Sequence, residues 1–138
     1  MKIGIADPPG AALYEYYKNG ELKSDGSSIT EGIGQGRITA NLEGLDIDYP
    51  YHIPDAESLQ AAFDLLKYEG LALGSSSGVN VAGAIRLAKD MGPGHTIVTI
   101  LCDGAAKYQS KMFNRDFLEE KGCLLYTSDA ADERHWVD

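Results

Sequence analysis

Gly70-Leu71-Ala72-Leu73-Gly74-Ser75-Ser76-Ser77-Gly78-Val79-Asn80 decides how the rest of the chain is read: a short apolar run, a Gly/Ser turn, then the start of a helical pattern. The order is strand, loop, helix N-terminus. The first turn of a helix leaves backbone N–H groups unpaired and carries the positive end of the macrodipole, so an anion or polar ligand can settle there. Serine is also a common N-cap, and Gly-rich turns are widespread, so the stretch by itself leaves a ligand site and a plain helix cap both open.

On its N-terminal side, Asp55 follows Pro54 as a good N-cap, and Leu59, Ala62, Phe63 and Leu66 share one helical face up to Gly70. On its C-terminal side, residues 79–91 put Val81, Ala84, Ile85, Ala88 and Met91 on one stripe, stopped by Gly92-Pro93-Gly94. Residues 96–101 (TIVTIL) are apolar and β-branched, the pattern of a strand covered on both faces in a parallel sheet. A helix pair is expected beyond it, around residues 108–113 and then from an Asn114 cap to Gly122.

Towards the beginning, residues 2–6 (KIGIA) read as a strand stopped by Asp7-Pro8-Pro9-Gly10, and residues 11–18 as a helix closed by Asn19-Gly20. Between residues 21 and 51 no periodicity persists and glycines recur, which predicts a long loop with one short helical turn; loops of that length are often functional. Strands and helices alternate, so the fold class is α/β, a short parallel sheet flanked by helices in a partial three-layer domain. The turns at Asp7, at residues 74–78 and at residues 102–104 all follow strand ends, the edge where open α/β sheets bind ligands.

A chain of 138 residues that is 43% hydrophobic suffices for one compact domain. No apolar run nears the roughly 20 residues of a membrane span, and Met1-Lys2-Ile3 leads into a strand rather than a signal peptide, so a cytoplasmic location is expected. A net charge of −9 argues against nucleic acid or an anionic membrane as partner. Cys102 and Cys123 make no disulfide scaffold, and no spacing of Cys or His suggests a metal; His52, His95 and His135 are scattered.

Two longer stretches, ADPPGAALYEYYKNGELKSDGSSITEGIGQGRITANL and GSSSGVNVAGAIRLAKDMGPGHTIVTILCDGAAKYQSKMFN, resemble the C-terminal half of the cysteine synthase/cystathionine β-synthase family, the fold type II pyridoxal-phosphate enzymes. The resemblance runs from about Ile3 to Gly122. It implies an O-acetylserine (thiol)-lyase that makes cysteine from O-acetylserine and sulfide, as a homodimer. Its cofactor is held as a Schiff base on a lysine and serves as electron sink.

In such enzymes the segment matching Glu31-Gly32-Ile33-Gly34-Gln35-Gly36 lies beside cofactor and substrate, which marks Gly32, Ile33 and Gly34. Gly104 occupies the place where many members carry a serine hydrogen-bonded to the pyridine nitrogen. A glycine has no side chain for that bond, so Asp103, a neighbour or water would replace it. Ser76 is the serine chosen for cofactor or substrate contact, with its turn as a cofactor-facing wall rather than a phosphate cradle. Tyr108-Gln109-Ser110-Lys111 matches a downstream motif expected to be structural.

Lys111 does not correspond to the Schiff-base lysine. That lysine, the substrate-carboxylate loop and the phosphate loop belong to the family's N-terminal half, and none of these motifs occurs here. Residues 1–122 are thus expected to be the C-terminal portion of a β-replacement enzyme, with no catalytic residue in the chain and no activity alone. From Cys123 the sequence departs from the family and resembles the translation of a transposase-type sequencing adapter, so residues 123–138 read as a non-native tail. Without it the chain is still acidic, and Cys102 is left as a single thiol, expected to be buried.

Two other readings stay open. One is a stand-alone α/β module binding phosphate or nucleotide at Ser75–Ser77, although neither G-x-x-x-x-G-K-[ST] nor a G-x-G-x-x-G between strand and helix occurs. The other is a piece that only docks, with an exposed apolar face where a further half would pack.

Overall fold

The computed structural model describes residues 1–123. Strand β1, Gly4–Asp7, is cut off by the two prolines that follow, and helix α1, Leu13–Asn19, ends at Gly20. Gly20 adopts a φ of 77°, and its N–H closes the helix on the Tyr16 carbonyl at 2.9 Å. The turn between them is tied by Asp7, whose buried carboxylate accepts the Tyr14 N–H at 3.0 Å.

Residues 21–48 are mostly irregular, as expected, with a single 3-10 turn at Ala40–Leu42. The loop ends earlier than the sequence reading put it, in strand β2, Tyr49–His52, which pairs parallel with β1 in the register Gly4 to Tyr49 through Asp7 to His52. Pro50 hid this strand, because a proline cannot donate to a ladder and argues against a central strand. Together the two strands form a parallel sheet with α-helical connections, the α/β class expected.

Helix α2 spans Asp55–Glu69 and helix α3 spans Ser75–Met91. They pack on each other at glycine: a Cβ added to Gly78 would stand 2.0 Å from the Ser58 carbonyl oxygen. Farther along α3, a Cβ at Gly83 would stand 2.6 Å from that of Ala6, which brings the helix down onto β1. One core cluster, Ile53, Ala61, Val79 and Ala82, fills the space among β2, α2 and α3. A second joins Leu59 and Ala62 of α2 to Tyr108, Met112, Leu118 and Cys123. Each large apolar side chain so buried contributes about 1.5–3 kcal/mol.

The last described elements are a 3-10 turn at Ala105–Tyr108, helix α4 at Gln109–Met112, and helix α5 at Arg115–Glu120. The Asn114 cap is as expected: its Oδ1 accepts the Phe117 N–H at 3.1 Å. Asp55, by contrast, is the first residue of α2 rather than its cap, and Pro54 takes the cap position. Its carboxylate is turned to the loop, accepting the Ile29 N–H at 2.8 Å and the Ser28 hydroxyl.

Three expectations need correction. Residues 71–74 are not a strand; only Leu73 makes a bridge, antiparallel, to Gly104. Residues 96–101 take part in no ladder among the described residues, with Val98 88% and Ile100 72% exposed. A run becomes a strand only when a neighbour accepts and donates along its length: residues 71–74 have one only around the Leu73 bridge, and residues 96–101 have none among the described residues. Cys102 is exposed rather than buried, because the run leading to it is uncovered. Cys123, placed in the foreign tail, is buried and donates its N–H to the Leu118 carbonyl at 2.8 Å. Residues 124–138, the rest of that tail, lie outside the described residues.

Candidate functional site

The helix N-terminus is built differently from a serine cap. Gly74 holds the cap position with no side-chain hydrogen bond, and Ser75, Ser76 and Ser77 form the buried first turn of α3. Buried serine needs partners, and Ser77 finds one across the turn: its Oγ accepts the Cys102 N–H at 2.8 Å. The backbone completes the junction, with Gly74 N–H donating to the Asp103 carbonyl at 3.0 Å and Ala105 N–H to the Ala72 carbonyl at 3.1 Å. The segment 102–105 is thereby latched to the start of α3.

Asp103 is the polar centre of this junction. Its Oδ2 accepts from the Tyr108 hydroxyl at 2.8 Å and from Lys107 Nζ at 3.1 Å. These bonds, Tyr108 first, hold the carboxyl below its ordinary pKa, and the same bond raises that of Tyr108. The Tyr108 ring lies against Gly74, where a Cβ would stand 2.6 Å from Cε2 and 3.0 Å from Asp103 Oδ1. A phosphate at this helix end would meet a carboxylate, so the N-terminus of α3 is not an anion cradle.

The Gly-rich loop sits on the other turn. Gly32 and Gly34 have φ of 74° and 90°, conformations that L side chains rarely adopt. Gly34 presses on Ala11 and Pro8, where a Cβ would stand 2.8 and 3.2 Å away, and Gln35 accepts the Ala12 N–H at 2.8 Å. Ile33 reaches inward to the cluster of Ile53, Ala61, Val79 and Ala82. Ile33 and Gly34 line a cavity of about 310 Å³ together with residues 8–11, residues 26–28 and Thr30.

The candidate residues therefore fall into two groups. Ser76, Asp103 and Gly104 gather at the α3 junction; Ile33 and Gly34 lie against the turn after β1, while Gly32 is exposed, with nothing near the position a Cβ would take. Glu31 connects them, pairing with Lys111 of α4 and contributing its charge to the environment of Tyr108. The sequence marks Tyr108 and Lys111 as structural and names Glu31 and Ser77 only as members of their turns, without the contacts that tie those turns down. The signal was present in the three-residue spacing of Tyr108 and Lys111, which suits one face of a short helix.

Gly104 leaves open space: a Cβ there would meet only the Ala72 carbonyl, at 3.7 Å. Lys107 and Lys111, the lysines beside the junction, are each committed to a carboxylate. Among the described residues no group of three His, Cys, Asp or Glu could hold a metal ion, and no helix is long and apolar enough to cross a membrane.

A two-stranded parallel sheet flanked by helices, with a glycine-rich loop against the turn after β1 and an open glycine beside a latched helix start, defines an α/β fold. The chain belongs to the pyridoxal-phosphate dependent enzyme family, which it matches over residues 2–103. Within it, the chain is 45% identical over 128 residues to cysteine synthase 1 of Neurospora crassa, covering 90% of this chain and 34% of that protein. Cysteine synthase 1 of Emericella nidulans is 44% identical over 126 residues, covering 88% and 34%.

Among solved structures, the crystal structure of O-acetylserine dependent cystathionine beta-synthase from Helicobacter pylori matches with a TM-score of 0.70 and 34% identity, over 80% of this chain and 34% of that one. This likeness agrees with the fold type II expectation. The chain spans about a third of the length of the relatives it matches.

Proposed function

We propose that these residues are the C-terminal part of a pyridoxal-phosphate-dependent cysteine synthase that forms cysteine from O-acetylserine and sulfide. In this reading residues 1–122 belong to one β-replacement domain and the residues beyond it do not. The observation that carries it is the 45% identity to a cysteine synthase, joined to a junction whose Gly104 leaves room for a ring. When bound, pyridoxal phosphate supplies an electron sink for the substrate's α-carbon. Gly32, Ile33, Gly34, Ser76, Asp103 and Gly104 form its wall, and Asp103, ionised and held by Tyr108, fixes the position of the turn. The reading also takes the parent as a cytoplasmic homodimer.

The chain alone is inert in this reading, because it contributes neither the Schiff-base lysine nor the phosphate loop. Mixed with pyridoxal phosphate, it is expected to show the spectrum of free cofactor and no cysteine synthesis; robust activity overturns the claim. A chimera in which residues 2–122 replace the matching third of the Neurospora crassa enzyme tests the substrates. It is expected to make cysteine from O-acetylserine and sulfide. A chimera that binds the cofactor yet makes none refutes the substrate assignment.

A further inference from the structure

We infer that Lys111 is a positioning residue: through its ion pair with Glu31 it holds Gly32 in place relative to the junction around Asp103 and Gly104. The inference rests on the cysteine synthase reading, in which Gly32 and Gly104 belong to one cofactor wall. What needs explaining is how Gly32 is held at all. Among the described residues, the backbone of residues 31–34 makes no hydrogen bond. Gly32 itself has a φ of 74° and nothing within 4 Å of the position a Cβ would take, so neither packing nor main-chain pairing fixes it.

The loop is anchored on both sides of this point. Before it, the Asp55 carboxylate accepts the Ile29 N–H at 2.8 Å and the Ser28 hydroxyl. After it, Ile33 packs against the cluster of Ile53, Ala61, Val79 and Ala82, Gly34 lies against Ala11 and Pro8, and the Gln35 carbonyl accepts the Ala12 N–H at 2.8 Å. Between these anchors the one polar tie given to residues 31 and 32 is the Glu31 carboxylate on Lys111 Nζ.

The other end of that tie is firm. Met112, the neighbour of Lys111 in α4, is buried with Leu59 and Ala62 of α2. One turn earlier, the Tyr108 hydroxyl donates to Asp103 Oδ2 at 2.8 Å, and Lys107 completes the charge of Asp103 at 3.1 Å, which leaves Lys111 to Glu31. A chain of contacts thus runs from Gly32 through Glu31, Lys111 and Tyr108 to Asp103 and Gly104. Because both partners reach solvent, the pair adds little to stability; what it restricts is where a glycine hinge can go.

The test uses the 138-residue chain and the chimera that carries residues 2–122 in the Neurospora crassa enzyme. In the chain, Lys111→Gln and Glu31→Gln are each expected to lower the NMR order parameter of the Gly32 amide into the flexible range, below about 0.6, with Gly36 and the urea midpoint unchanged. Lys111→Arg and the reversed pair Glu31→Lys/Lys111→Glu are expected to keep it at the wild-type value. In the chimera, the two glutamine variants are expected to hold pyridoxal phosphate about two- to fivefold more weakly, the span of an exposed ion pair, read from the absorbance of bound cofactor, and the reversed pair is expected to restore it. An unchanged Gly32 order parameter, a loss that the reversed pair does not repair, a urea midpoint that falls with it, or unaltered cofactor affinity each overturns the inference. A wild-type chimera that binds no cofactor overturns the cysteine synthase reading and this inference with it, whereas one that binds cofactor and makes no cysteine refutes the substrates and leaves every readout here in force.

Discussion

Replacing Gly78 by alanine puts a methyl group where the structure has none to spare. The new Cβ would stand 2.0 Å from the Ser58 carbonyl oxygen and 2.9 Å from its carbon, both backbone atoms of α2. Ordinary contact begins near 3.4 Å, so the helices must part by about 1.4 Å along that line. Alanine favours the helical state over glycine by about 1 kcal/mol, which works in the opposite direction. The displacement wins, because it separates α2 from α3 where Leu59, Ala61 and Val79 are buried. Overpacking costs about 1–3 kcal/mol, and a gap opened beside a large apolar side chain about 2–5 kcal/mol.

The net expectation is a loss of about 2–5 kcal/mol, a large share of the 5–15 kcal/mol typical of a domain. Urea unfolding followed by circular dichroism at 222 nm measures it, with the slope compared between variants to confirm that only stability changed. Gly36→Ala is the control, since a Cβ there meets nothing within 4 Å and the change should be neutral or slightly stabilising. A Gly78→Ala chain with an unchanged or higher urea midpoint would show that the close helix contact does not exist in solution and refute the reasoning.

Ser77→Ala leaves the Cys102 N–H without its acceptor; a loss of about 1 kcal/mol and faster amide exchange at Cys102 are expected, since water can reach this exposed residue. In Tyr108→Phe the Asp103 carboxyl should titrate at higher pH than in the wild type, read by NMR, because its first hydrogen-bond donor is gone. A depressed carboxyl stabilises the fold above the unfolded value of about 3.9, and that contribution is lost as pH falls through the folded value, so acid unfolding of the variant should begin at higher pH. Asp7 has the opposite sign: burial raises its pKa although the α1 N–H groups work against that, so its ionisation opposes folding as pH rises from the unfolded value through the folded one. Asp7→Asn, which keeps an acceptor for Tyr14, should therefore gain stability relative to wild type as pH rises from about 3.5 to about 7, whereas Asp7→Ala, which leaves the Tyr14 N–H without its acceptor, should lose about 1–3 kcal/mol at low pH, a deficit that shrinks over the same range.

The sequence by itself determined the elements whose signals are local. Helical spacing marked α2 and α3, Gly20 and Gly70 ended helices by their left-handed conformation, and Asn114 capped α5 by its own side chain. The two long stretches at residues 6–42 and 74–114 carried the family resemblance, and the chain matches that family over residues 2–103. Tertiary structure decided whatever depended on a neighbour. Pro50 concealed β2, a strand known only by its pairing with β1. Residues 96–101 have the composition of a buried strand but remain uncovered, because composition does not provide a partner. The turn at residues 74–78 could have been a cap or an anion site on its letters alone. Only the fold brings Asp103 and Tyr108 against Gly74 and Ser77 against Cys102, and a carboxylate at a helix N-terminus removes the attraction that a second anion would need.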